Sequence, residues 1–218
     1  MDAWISGAPP LEALAAALTT LIVAVDPVGL APIFVGLTAG FSAATKRSIA
    51  LRATIIAFVV LALFSLVGER LLSALGIALP AFRISGGLLL FYVAFEMVFE
   101  RREDRKRETA ERAADEGDHH RIAAFPLAIP LMAGPGAVTA CILLAGELGA
   151  EPIGLAALLA VIALVCVSCL LCFLAAGTIS RLLGDTGRIV LTRLLGMILA
   201  ALAVQFVSDG VRGLITGT

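Results

Sequence analysis

The chain has 218 residues, 60% of them hydrophobic and 15% charged, with a mean hydropathy of +1.04, and so few polar side chains cannot cover a water-facing surface. Lys and Arg number 16 against 17 Asp and Glu, a formal net charge of −1, and nothing in this balance calls for a nucleic-acid partner. Fifteen of these charges lie between Glu100 and Arg121, which leaves the rest of the chain apolar enough to be polytopic, with the lipid bilayer as its surroundings.

Six apolar stretches predict an all-α membrane protein with six transmembrane helices: Leu11–Thr38, Ile49–Gly68, Pro80–Phe99, Ile122–Gly146, Ile153–Gly177 and Ile189–Ser208. Each reaches the roughly 20 residues that a helix needs to cross ~30 Å of hydrocarbon. Strict alternation of apolar and polar residues is absent, which argues against a transmembrane barrel.

The first stretch has no Lys or Arg among its preceding ten residues and is too long for a signal-peptide core, so it is expected to insert uncleaved. Asp26 lies near its middle, where an ionised carboxylate is costly unless paired or solvated. Pro27 follows. Asp is a favoured N-cap and Pro a favoured first helical residue, so Asp26-Pro27 reads as the start of a second half-helix. Pro32 is expected to add a further break.

Arg83 and Glu96 mark the two ends of the third stretch, and both read as interfacial or gating residues. Residues 100–121 hold seven basic and eight acidic side chains and read as a solvated helical extension of the third span. His119 and His120 belong to this polar linker. The fourth stretch repeats the arrangement of the first, with Gly134-Pro135 as the break and Pro126 and Pro130 before it. In the fifth, Cys166, Cys169 and Cys172 have the spacing of a cluster-binding motif. They lie on a continuous helix, however, where positions i, i+3 and i+6 drift around the axis, so they and Cys141 read as small packing residues and no metal is expected. The sixth carries Arg193 and Gln205, which, like Arg83 and Glu96, read as gating or secondary residues.

Two of these features recur at nearly one offset. Arg83-Ile-Ser-Gly-Gly-Leu-Leu returns in the second half as Arg193-Leu-Leu-Gly-Met-Ile-Leu, and Pro27 returns as Pro135 at almost the same separation. The chain therefore divides into a first three-helix repeat (1–99), a charged cytoplasmic linker (100–121) and a second three-helix repeat (122–218). Placing both termini outside puts 13 of the 16 Lys and Arg on the cytoplasmic side. Three spans per half then require the two repeats to be inverted, an arrangement typical of secondary transporters.

Two half-helix N-termini near the bilayer centre present N–H groups and partial positive charge to an anion. Substrate-binding residues are expected to be Asp26, Pro27, Gly29, Gly134, Pro135, Gly136 and Thr139, with the glycines allowing close approach to the backbone. Asp26 is placed to hold an ammonium group or a coupling cation.

Several long motifs resemble the MarC family, also called the neutral amino acid transporter family. They are Asp26-Pro-Val-Gly-Leu-Ala-Pro-Ile-Phe34, Phe82-Arg-Ile-Ser-Gly-Gly-Leu-Leu-Leu-Phe91, Phe125-Pro-Leu-Ala-Ile-Pro-Leu-Met-Ala-Gly-Pro-Gly-Ala137 and Leu191-Thr-Arg-Leu-Leu-Gly196, with Val204-Gln-Phe206 and Asp209-Gly210 after them. The resemblance runs through essentially the whole chain. It implies a six-span protein of the bacterial inner membrane that carries small neutral amino acids such as glycine or alanine, and no enzymatic activity. Where the family commonly has Asp near the end of the third span, this chain has Glu96. A more distant similarity to the LysE-like group brings in thiol–disulfide carriers of the CcdA type, but their cysteines fall where this chain has Asp26 and Gly134. A secondary carrier working by alternating access is the expectation, with a small-molecule substrate, no cofactor, H+ or Na+ open as the coupling ion, and a homo-oligomer compatible with its size. A membrane-embedded partner or regulator, or a carrier of another small solute, is the alternative.

Overall fold

The computed structural model describes residues 10–102, 105, 106, 108, 109, 122–149 and 152–216. The linker residues 110–121, including His119 and His120, lie outside that set. Among the described residues every element is a helix. α1 (Leu11–Val25) and α2 (Pro27–Leu37) follow one another and together form one apolar span of 27 residues. α3 (Ala43–Ala74), α4 (Leu79–Val98), α7 (Pro152–Leu174) and the Thr186–Thr216 part of α8 (Ala176–Thr216) are each long and apolar enough to cross a membrane. α5 (Ala123–Met132) and α6 (Pro135–Leu148) are bent by 59° where they meet. Five helices can thus cross a bilayer, or six if that bent pair counts as one span.

Local chemistry sets most boundaries. Ser42 caps α3 by accepting from the Thr45 N–H at 3.2 Å, and prolines stand in the first turns of α2, α4 and α6, where the missing N–H would have no helical partner. Phe125 and Ile129 are extended, with φ/ψ of −135/123° and −127/123°, because each precedes a proline whose ring disfavours helical backbone. α5 is therefore irregular. Pro32 behaves otherwise: α2 runs through it, so the expected further break in the first span is not found. α8 is interrupted at Gly184, whose φ of +57° suits glycine. Hydroxyls inside the apolar helices bond back to the preceding turn, Thr54 to Ala50 O at 2.9 Å and Ser65 to Leu61 O at 3.0 Å, so they need no external partner.

The α1–α2 span sits in the middle of the bundle. Some 72% of its apolar window is buried, against 39% for α3 and α4, 33% for α7 and 28% for α8, whose outer faces expose Leu63, Phe91, Leu171 and Val204 as lipid-facing side chains do. Phe34 of α2 stacks on Phe173 of α7 at 4.8 Å between ring centroids. α4 and α8 form the most extensive pairing. They approach backbone to backbone: a Cβ on Gly87 would lie 2.8 Å from Ala203 O, and one on Gly210 2.7 Å from Pro80 O.

Candidate functional site

α1 ends where Asp26 turns left-handed, with φ 62° and ψ 67°. Asp tolerates this conformation better than most residues because its short side chain can bond locally. Here the Gly29 N–H donates to Asp26 Oδ1 at 3.0 Å, capping α2. A Cβ on Gly29 would collide with that carboxylate, so the close cap requires glycine. The other carboxylate oxygen, Oδ2, accepts from Lys106 Nζ at 3.0 Å, and Asp26 and Lys106 are both buried, at 2% and 7% exposure.

Lys106 comes from the segment 101–109, which its composition predicts to be solvated. The segment's Lys106 instead turns inward, while its Arg101 and Arg105 stay exposed. Its Arg102 is also buried, and its guanidinium donates to Ala24 O and, at 3.4 Å, to Val23 O, the carbonyls that α1 leaves open at its C-terminal end. A cation thus meets the negative end of α1, the Asp26 carboxylate meets the positive end of α2, and Lys106 neutralises that carboxylate. The inward turn is made at Glu100, with φ +64°, whose carboxylate is bound by Arg193 of α8.

The start of α6 is different. No side chain caps it at Gly134, Pro135 has no N–H, and the first-turn amides of Gly136 and Ala137 have no partner within the helix. This end opens on a cavity of about 290 Å³ whose lining includes Gly134, Pro135, Gly136 and Ala137, the side chains of Arg102, Arg105, Lys106 and Thr109, and Tyr92 and Val93 of α4. That volume is just below the roughly 300–1,000 Å³ usual for ligand sites. Three cations and a helix N-terminus make it a place for an anionic group of a small solute.

The expected site residues divide. Gly134, Pro135 and Gly136 line the cavity. Asp26, Pro27 and Gly29 do not, since Lys106 is the side chain that both lines the cavity and reaches Asp26. At the start of α2 Asp26 itself holds the Gly29 amide, whereas no side chain caps the start of α6. Thr139 is turned away: it is buried with its methyl carbon 2.7 Å from where a Cβ on Gly86 would stand, so it packs α6 against α4. Glu96 is buried at 4% exposure, in an ion pair with Arg105 at 2.6 Å. Gln205 is exposed and donates to Asp209 at 2.9 and 3.0 Å. Arg83 is half-buried, away from the cavity.

Arg102, Arg105 and Lys106 are absent from the site residues expected from sequence, although one signal points to them. With Thr109 they fall at i, i+3, i+4 and i+7, a single face of a helix. All four line the cavity.

Residues 11–215 match the profile of a family described as "MarC family integral membrane protein". A UPF0056 membrane protein of Archaeoglobus fulgidus is 40% identical over 196 residues, covering 89% of this chain and 90% of the relative. UPF0056 membrane protein YvbG of Bacillus subtilis is 35% identical over 87% of this chain and 89% of its own length. UPF0056 membrane protein YhcE of Escherichia coli is 34% identical over 90% and 91% respectively. No solved structure matches significantly.

Proposed function

The chain belongs to the MarC family of integral membrane proteins, and from that premise we propose that it is a secondary carrier of small neutral amino acids such as glycine and alanine. The observation that carries this reading is the cavity at the uncapped start of α6, beside the buried Asp26–Lys106 pair. In this proposal the α6 N-terminus and Arg102 hold the substrate carboxylate, and Asp26 receives its ammonium group. Irregular backbone at membrane depth is tolerated mainly where protein buries it or a cavity needs it, which favours a site here over a mere kink.

The mechanism we propose is alternating access by two inverted three-helix repeats across the bacterial inner membrane, with H+ or Na+ as the coupling ion. The bend between α5 and α6 and the interruption at Asp26 support it, because each lies in the first span of its half of the sequence. It places both termini in the periplasm. Alkaline phosphatase fused at the C-terminus is therefore expected to be active and a fluorescent protein dark; bright cytoplasmic fluorescence would reject the topology.

Counterflow of radiolabelled glycine and alanine in proteoliposomes tests the activity. Wild type is expected to exchange saturably, and Asp26→Asn, which removes the charge that faces the ammonium group, is expected to fall to background. Background signal from a folded wild type would reject neutral amino acids. A second reading, a carrier of another small solute, then gains weight on a specific observation: among the described residues the cavity lining includes Arg102, Arg105 and Lys106 and no carboxylate, which suits a small anionic solute.

A further inference from the structure

We propose that Glu96 is the proton-coupling residue of the carrier: binding of the substrate carboxylate at Arg105 takes up one proton on Glu96, so that substrate and H+ move together. The inference rests on the carrier reading above and assigns its coupling ion.

Three observations lead to it. Glu96 is a carboxylate buried to 4% exposure in an apolar helix, and the binding of substrate as described above makes no use of it. Its partner Arg105 is 55% exposed by side chain and lines the cavity, whereas Glu96 does not, so one guanidinium connects the cavity with a carboxylate set back from it. Glu96 stands one helical turn beyond Tyr92 and Val93, which belong to the cavity lining. Finally, Arg105 Nη2 lies 2.6 Å from Glu96 Oε2 without hydrogen-bond alignment, and among the described residues Oε2 has no hydrogen-bond donor. A buried carboxylate oxygen held by charge alone can accept a proton without the loss of a hydrogen bond.

Other charges near Glu96 are already engaged. Arg102 interacts electrostatically with both Glu96 and Asp26, and Asp26 is paired with Lys106. Glu100 is bound by Arg193 of α8. α6 carries no charged residue before Glu147 near its far end, and its Cys141 is turned to Ser65 of α3.

With the cavity empty, Arg105 neutralises Glu96. A substrate carboxylate that enters takes a share of the same guanidinium, and two carboxylates gathered on one cation do not readily both stay ionised. Of the two, a glutamate side chain is a weaker acid than an α-carboxyl group, so the proton goes to Glu96. It comes from the aqueous phase, and Arg105 keeps its own charge throughout. Reciprocally, protonation of Glu96 frees Arg105 and raises substrate affinity by the same factor.

Binding of radiolabelled glycine to the full-length protein in detergent, followed across the neutral pH range where free glycine stays zwitterionic, tests this. In wild type the affinity is expected to fall as pH rises, by up to about tenfold per pH unit, with about one proton per glycine taken up from a weakly buffered solution. Glu96→Gln, whose amide imitates the protonated acid, is expected to bind glycine independently of pH and without proton uptake. At the alkaline end it is expected to bind several-fold more tightly than wild type, while Glu96→Asp retains the pH dependence. A residue that merely supports the fold would weaken binding on substitution at every pH, and that result overturns the proposal. So does wild-type binding that is indifferent to pH or that requires Na+ instead; either leaves the carrier in place. Should Glu96→Gln fail to fold, proton uptake by wild type decides alone. Glycolate, which keeps the carboxylate and lacks the amine, separates the two readings. If it binds with proton uptake and glycine does not bind, the coupling stands and the neutral-amino-acid reading falls. Absence of binding by either ligand overturns both.

Discussion

Asp26→Ala is expected to lower the stability of the folded protein by about 5 kcal/mol, and adding Lys106→Met is expected to restore all but about 1 kcal/mol of it. Two separable effects make up the loss. Removing one partner of a buried ion pair leaves the other charge uncompensated, at about 3–5 kcal/mol, and both side chains here are buried. Losing the N-cap of α2, where Asp26 accepts from the Gly29 N–H, adds about 1 kcal/mol. Replacing Lys106 by a methionine of similar reach removes the stranded charge but cannot restore the cap. Thermal unfolding in detergent of the two single variants and the double one completes the cycle. Additive losses would mean that Asp26 and Lys106 are not paired in the folded protein.

The second large effect is expected at Arg102. Arg102→Met keeps much of the apolar stem and removes only the guanidinium, which caps the carbonyls of Val23 and Ala24 at the end of α1. Hydrogen bonds to charged groups contribute about 1.5–3 kcal/mol each at sites of this kind. A net loss of about 2 kcal/mol is therefore anticipated, since desolvation of the buried guanidinium offsets part of the gain. Arg101→Met, next door but exposed, is expected to change stability by less than about 0.5 kcal/mol. Hydrogen exchange sharpens the comparison: Arg102→Met should speed exchange of the α1 C-terminal amides, and Arg101→Met should not. Equal behaviour of the two variants would dismiss the cap.

Different parts of this architecture are legible in the sequence to different degrees. The helical, membrane-spanning class follows from composition, because in lipid an apolar run of some 20 residues must satisfy its own backbone hydrogen bonds, which a helix does. The end of α1 and start of α2 at Asp26-Pro27 are local as well: cap, first-turn proline and the glycine that lets the carboxylate approach are close together in the chain. The same local rules overreach at Pro32, where the surrounding bundle holds α2 continuous. Thr139 escapes them for a related reason. Its position on α6 puts it near the cavity in sequence, but the face it occupies is decided by Gly86 of α4, which offers a gap for its methyl group.

What sequence alone determined about this protein is thus its solvent, its secondary structure and the places where its first and fourth apolar stretches cannot be regular helix. Only the tertiary structure decided which charges belong to those places. Fifteen charges between Glu100 and Arg121 look like a water-facing linker to any local measure. Yet Lys106 meets Asp26 across 80 residues, and Arg102 meets Ala24 across 78. An interrupted span leaves a carboxylate and open carbonyls inside the bundle, and those groups require cations from somewhere. Which cations answer depends on the turn at Glu100 and its pairing with Arg193, a contact 93 residues long in sequence that only the packed bundle creates.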